Sequence, residues 1–131
     1  MNLESAARAS EKNLEIIFKN VNSDMQICIQ NCLECARVCE HLIQHCLKKG
    51  GKHSHPQHIR RLQDCVDICL VSAQFMTRES SFHHETCSVC ANICETCAAD
   101  CEKMADDEVM KICAQVCRAC AESCKKMSSV H

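Results

Sequence analysis

Five cysteines, Cys87, Cys90, Cys94, Cys97 and Cys101, are separated by steps of 3, 4, 3 and 4 residues. That is the spacing of the inward seam of an α-helix, where an apolar stripe normally sits. The stretch CSVCANICETCAADC contains no Gly and no Pro, and Ala91, Glu95, Ala98 and Ala99 favour a continuous helix. Any fold for this chain must therefore explain a helix that carries thiols where leucines usually pack.

The pattern recurs along the chain. A helix over 22–49 carries Cys28, Cys32, Cys35, Cys39 and Cys46, with Leu42 and Ile43 in the skipped turn. Asn22–Ser23–Asp24 breaks the preceding segment, and Ser23 with Gln26 has the S-x-x-Q form of a capping box. Lys48, Lys49 and Gly50 suit its C-terminal end. The loop KGGKHSHP holds both glycines and the only proline, and Pro56 opens a helix over 56–79 that has only Cys65 and Cys69. His58, Leu62, Ser72 and Met76 continue that helix's cysteine face. Ser80 or Ser81 can cap the helix of the opening stretch, 82–104. A last helix over 107–127 starts in acidic residues and carries Cys113, Cys117, Cys120 and Cys124. Residues 1–21 read as an amphipathic helix without cysteine. Its apolar line is Leu3, Ala7, Ser10, Leu14, Ile17 and Val21, with Phe18 beside it, and it is expected to pack outside the rest or against another subunit.

Short loops make successive helices antiparallel neighbours. The expected fold is all-α: one domain over 1–131, an up-down-up-down four-helix bundle with a Cys-lined core, plus the N-terminal helix. Ile27, Leu33, Val38, Val66, Leu70, Val71, Val89, Ile93, Ile112 and Val116 flank the stripes and are expected to seal the seams. The net charge of −2, the absence of a basic block and the near-absence of aromatics argue against nucleic acid. No stretch reaches the length of a membrane span, and residues 1–21 lack a secretory apolar run. The expected compartment is the cytoplasm, where thiols stay reduced.

Sixteen cysteines in 131 residues need a reason beyond packing. Each Cys in a Leu position forgoes one or two buried methylenes, at about 0.8 kcal/mol apiece. Disulfides within a helix are strained, because side chains one turn apart lean the same way. Redox chemistry at C-x-x-C wants a helix N-terminus in a βαβ setting, whereas these pairs lie mid-helix. Soft thiolates select Cu(I), Zn(II) or Fe–S clusters. Zinc knuckles and Fe–S loops have their own signatures, and neither is present. Cu(I) accepts low coordination, so two thiolates one turn apart can hold an ion and a sulfur can bridge two ions. Each Cu⁺ displaces a thiol proton and leaves the interior near neutral, with a capacity of roughly one ion per cysteine, about 16. The expected metal ligands are therefore all sixteen cysteines, and the function is storage rather than catalysis. A store for zinc or Fe–S, or a thiol oxidoreductase, remains the alternative.

Four antiparallel helices striped with C-x-x-C and C-x-x-x-C resemble the bacterial copper storage proteins, in particular their cytosolic branch. The resemblance covers residues 22–127 and implies a Cu(I)-storing bundle. It also implies assembly as a homotetramer and loading of copper through one open end; copper donor or acceptor proteins are further expected partners. The chain departs from the pattern at Ser72, where a further thiol could sit, so copper is expected to be less continuous along the third bundle helix.

Antiparallel order gathers Cys46, His58, Cys101, Met104, Met110, His53 and His55 at one end. The other end gathers Met25, Cys28, Met76, His83, Cys87, Cys124 and Met127. Thioether and imidazole suit transfer more than retention. His58, Met104 and Met110 are thus added to the ligand set, and their end is the expected mouth. Phe75 and Phe82 are expected to help close the opposite end. His41 lies off the stripe and is expected at the surface, and His45 lies at its margin.

Overall fold

The structure, a computed structural model, describes residues 2–128, with the side chains of residues 4–10 outside the description. Ala7 and Ser10 of the N-terminal apolar line belong to those side chains. Five α-helices run in order: α1 (Leu3–Phe18), α2 (Ser23–Lys49), α3 (Pro56–Thr77), α4 (His83–Glu102) and α5 (Glu108–Ser128). A short 3-10 turn, Gly51–Ser54, lies between α2 and α3. No strand occurs among the described residues. α2 packs on α3 and α5, and α4 packs on α3 and α5. That square of neighbours is the up-down-up-down bundle expected from short connections.

The helix boundaries follow local chemistry. The cap of α2 is Asn22, not Ser23: its side-chain oxygen accepts from the backbone N–H groups of Asp24 (2.9 Å) and Met25 (3.3 Å). Asn is among the best N-caps, so the turn already supplies the acceptor and Ser23 becomes the first helical residue. Gln26 does not reach back to a cap N–H either. Its Nε2 donates to the carbonyls of Phe18 (3.0 Å) and Val21 (2.8 Å), tying the end of α1 to the start of α2. At the other end of α2, Gly50 takes φ 71° and its N–H donates to the Cys46 carbonyl. A side chain at that φ would be strained, which fits glycine beyond the helix end. Pro56 opens α3, and the His55 ring accepts from the Gln57 N–H as its cap. Ser80 does not cap α4 directly: its hydroxyl accepts from the Phe82 N–H, one residue before the helix begins. Asp107 accepts from the Val109 N–H at the start of α5.

Two packing expectations are corrected. Ile27, Leu33, Leu70, Val89 and Ile112 do not seal the seams; they are exposed on the outside of the bundle. Val66 is buried, and Val38, Ile93 and Val116 pack partly against the core. The seams are instead lined by alanines next to the sulfur stripe: Ala36, Ala73, Ala91, Ala98, Ala114 and Ala121 are all buried. The reason is reach. A thiol extends one atom beyond Cβ, so facing helices must come close for sulfurs to touch, and a seam of leucines would hold them apart. The second correction concerns Phe82, which is 63% exposed and closes nothing. Met76 and Met127, both buried, fill that end of the core.

α1 runs alongside none of the bundle helices among the described residues. Its last turn meets α2 at a cleft of about 300 Å³ lined by Leu14, Phe18, Val21, Ile29, Leu33 and Thr77. Leu3, Leu14, Ile16 and Ile17 remain exposed. No helix of the described residues is long and apolar enough to cross a membrane.

Candidate metal centre

All sixteen cysteines are fully buried and none is disulfide-bonded. Among the described residues, every buried side-chain nitrogen and oxygen has a hydrogen-bond partner. The unused coordinating capacity of the interior is therefore sulfur.

The thiols stack in levels along the bundle axis. Cys28, Cys87 and Cys124 form a group of three at the α2 N-terminal end. Next come three groups of four: Cys32, Cys90, Cys120 and Cys124; Cys35, Cys69, Cys94 and Cys120; and Cys35, Cys39, Cys65 and Cys117. Successive levels share Cys124, Cys120 and Cys35, so no gap separates them. Contacts between helices run from 3.6 Å (Cys28–Cys124, Cys35–Cys65, Cys69–Cys94) to 4.0 Å (Cys39–Cys113). A disulfide would need about 2.05 Å, so these are facing thiols. Two sulfurs bound to one ion at about 2.3 Å each lie roughly 3.8 Å apart for a tetrahedral angle, so the column is already at metal-bridging distance. Cys101 continues it, 3.9 Å from Cys113, and Cys97 lies beside Cys101, Cys117 and Cys39.

The ladder is interrupted on one side. Leu42 of α2 and Leu62 of α3 are both buried between the Cys35/Cys39/Cys65 level and the Cys46 end. The sulfur path there runs only along α4 and α5. Ser72 is the other gap. It is fully buried, but its hydroxyl donates to the Thr86 carbonyl (3.1 Å), and α3 gives no sulfur to the three-thiol group.

At the far side of the leucines, the residues expected at the mouth do meet. Cys46 Sγ is 3.4 Å from His58 Nε2 and 3.7 Å from Met110 Sδ. His58 Nδ1 donates to Asp100 Oδ2 at 2.8 Å, which leaves Nε2 with its lone pair facing the thiol. Arg61 (2.9 Å) and Lys103 (3.5 Å) hold the other Asp100 oxygen. A carboxylate behind a ligating imidazole fixes its tautomer and raises its basicity. Asp100 is buried, which alone would raise its pKa. The His58 hydrogen bond, with the electrostatic pull of His58 and the Arg61 guanidinium, outweighs that and holds it below the usual carboxylate value. A cavity of about 250 Å³ opens here, lined by His58, Asp100, Arg61, Lys103, Met104 and His55 among others. Burial first, and then the electrostatic influence of Cys113, Asp107 and Cys97, pushes the Cys46 thiol up to about 11. An empty site thus keeps this proton until a metal displaces it.

Not every expected residue joins the site. His41 is exposed, as its position off the stripe implied. His55 caps α3 at the cavity rim, while His53 turns away to Asp107. Asp100 was missed by the sequence reading. Its one signal was its place between Cys97 and Cys101 on the inner margin of α4, an acid in an otherwise small and apolar stretch.

The comparisons with known proteins agree with this geometry. The family model described as copper storage protein matches residues 21–129. A cysteine-rich protein of Bacillus subtilis, YhjQ, is 36% identical over 82 residues, which is 63% of this chain and 76% of that protein. A crystal structure from Nitrosospira multiformis is 41% identical, covers 82% of this chain and 97% of its own, and superposes with a TM-score of 0.77. The Cu(I)-bound copper storage protein BsCsp3 is 34% identical, covers 82% of this chain and 100% of its own, and has a TM-score of 0.76. A cytosolic copper storage protein of Streptomyces lividans, loaded with five coppers, is 28% identical over 82% of this chain and 94% of its own, with a TM-score of 0.72. With four sulfur-striped helices in the same arrangement and a family match that spans the whole bundle, the chain belongs to the copper storage protein family.

Proposed function

We propose that this protein sequesters Cu(I) at about one ion per cysteine, roughly 16 per chain, and loads it through the His58–Met104–Met110 end. The observation that carries this reading is the unbroken sharing of Cys124, Cys120 and Cys35 between successive thiol groups. A set of closed zinc sites would keep its ligands apart. Shared thiolates suit an ion of charge +1 and low coordination, because each Cu⁺ that replaces a proton leaves the buried charge unchanged.

The ligand set is the sixteen cysteines, with His58, Met104 and Met110 serving transfer at the mouth. The role is storage rather than catalysis: the C-x-x-C sulfurs are fully buried and offer no accessible nucleophile for disulfide exchange. A cytoplasmic location fits the reduced thiols. A homotetramer fits the apolar residues left exposed on α1 and on the outer faces of the bundle. Copper donor and acceptor proteins would dock at the mouth.

Anaerobic titration of the copper-free protein with Cu(I) against a strong chromogenic chelator tests the reading. The expected plateau is about 16 ions per chain, with about one proton released per ion. A plateau near three ions, the number of four-cysteine groups, would replace it with a set of tetrathiolate sites.

A further inference from the structure

Outside the sulfur core, at the junction of three elements, His45, His53 and Asp107 turn their ligand atoms toward one point. His45 is in the last turns of α2, His53 in the 3-10 turn, and Asp107 just before α5. His45 Nε2 lies 2.9 Å and His53 Nε2 3.1 Å from the same carboxylate oxygen, Asp107 Oδ2. We propose that this trio is a second metal site, distinct in chemistry from the thiolate column, that takes a borderline divalent cation such as Co²⁺, Ni²⁺ or Zn²⁺.

Geometry supports it first. An ion about 2.0–2.1 Å from Asp107 Oδ2 and from either ring nitrogen would see a nitrogen–metal–oxygen angle of roughly 90–100°, and all three ligand atoms lie within 4.8 Å of one another, within reach of tetrahedral or octahedral coordination. Pre-organisation supports it second. The other oxygen, Asp107 Oδ1, accepts from the Val109 N–H (3.0 Å), so the carboxylate is held with Oδ2 toward the histidines. The three side chains are only 22%, 15% and 11% exposed, so little ordering is left for the metal to impose. Donor chemistry comes third. Two imidazoles and one carboxylate leave open positions for water and favour borderline divalent ions, whereas Cu(I) has sixteen softer thiols nearby. In the metal-free state both Nε2 atoms carry a proton toward Asp107. Metal binding requires each ring to hold its proton on Nδ1 instead.

The competitor is Lys49, whose Nζ stands 4.0 Å from Asp107 Oδ2 and is half exposed. A divalent ion would displace that ammonium. It would also tie the 3-10 turn to the ends of α2 and α5, beside Cys46 but not through it.

The test is a Co²⁺ titration of the protein with its thiols already filled by Cu(I), under anaerobic conditions. One Co²⁺ per chain should bind with weak visible bands and no sulfur-to-cobalt charge-transfer band. His53→Ala should weaken binding by more than about 100-fold, beyond what losing a mere supporting partner costs. Copper content should be unchanged. Lys49→Ala, far from any packing role, should tighten Co²⁺ binding. Failure to bind Co²⁺, a thiolate charge-transfer band, equal binding by His53→Ala, or weaker binding by Lys49→Ala would each overturn the site.

Discussion

The two ends of the bundle use similar sulfur residues in different settings. At the end where α2 begins, Cys28, Cys87 and Cys124 lie under Met76 and Met127, both buried, with Ser72 bound to a backbone carbonyl. Among the described residues, Ser72 is the one buried polar side chain at that end. At the end where α2 finishes, Cys46 meets Met110 and His58, and behind His58 stand Asp100, Arg61 and Lys103 beside a cavity of about 250 Å³. One end is filled by buried methionines, and the other, the proposed mouth, is polar and opens on a cavity. Similar sulfur sets thus stand in opposite electrostatic settings, which is what favours one end as the proposed mouth. Moving a cation and a proton in opposite directions is helped by a buried base with a carboxylate behind it and an open cavity beside it, which the His58–Asp100 pair supplies.

The comparison can be broken most forcefully at the methionine-filled end. Met76→Ala removes a fully buried side chain from it. It should cost about 2–5 kcal/mol in chemical denaturation of the copper-free protein, and give the column a second opening. Stopped-flow loading should then be faster than wild type while the plateau is kept. Unchanged stability and rate would mean that this methionine closes nothing.

At the proposed mouth, Asp100→Asn keeps an acceptor for His58 but loses the charge that Arg61 and Lys103 hold. The expected loss is about 1.5–3 kcal/mol near neutral pH, with slower initial copper uptake and an unchanged plateau. The sign of its pH dependence follows from a folded pKa below the usual 3.8. A depressed carboxylate stabilises the fold above its unfolded pKa, and that contribution is lost as pH falls through the folded value. The gap between wild type and variant should therefore begin to narrow only as pH falls below about 4, and close below the folded value. A gap that persists there would point to packing rather than charge.

The smallest effect is expected from filling the gap at the methionine-filled end. Ser72→Cys puts a thiol on α3 at the level of the three-thiol group, in a site that is fully buried. Thiol counting after unfolding should rise by one, and Cu(I) capacity by about one ion, with the loading rate unaltered. If capacity stays constant, the third helix does not limit the column at that level.

Much of this was legible in the residues. The 3/4 spacing of the cysteines gave four helices and their inner faces, because a helix turns by a fixed angle per residue. Gly50 and Pro56 marked a loop through their backbone restrictions alone. His58 could be placed on the stripe by counting. The seam was not legible in the same way. Ile27, Leu33 and Ile112 are larger and more apolar than Ala36, Ala91 or Ala114, and hydrophobicity alone favours them as sealers. How close two helices approach decides which of them faces in, and that distance is set by both partners together. The cap of α2 moved from Ser23 to Asn22 for a local reason: two good caps stood side by side, and the turn chose between them.

The sequence by itself determined that sixteen sulfurs line four helical faces and that one end collects a histidine with two methionines, since both follow from helical period and antiparallel order. Only the tertiary structure decided which sulfurs touch. It alone brought Asp100 behind His58 across 42 positions of chain, and gathered His45, His53 and Asp107 from three elements. Contacts of that kind depend on axial stagger and interhelical distance. Those quantities belong to the packed bundle as a whole, and no single helix carries them in its own residues.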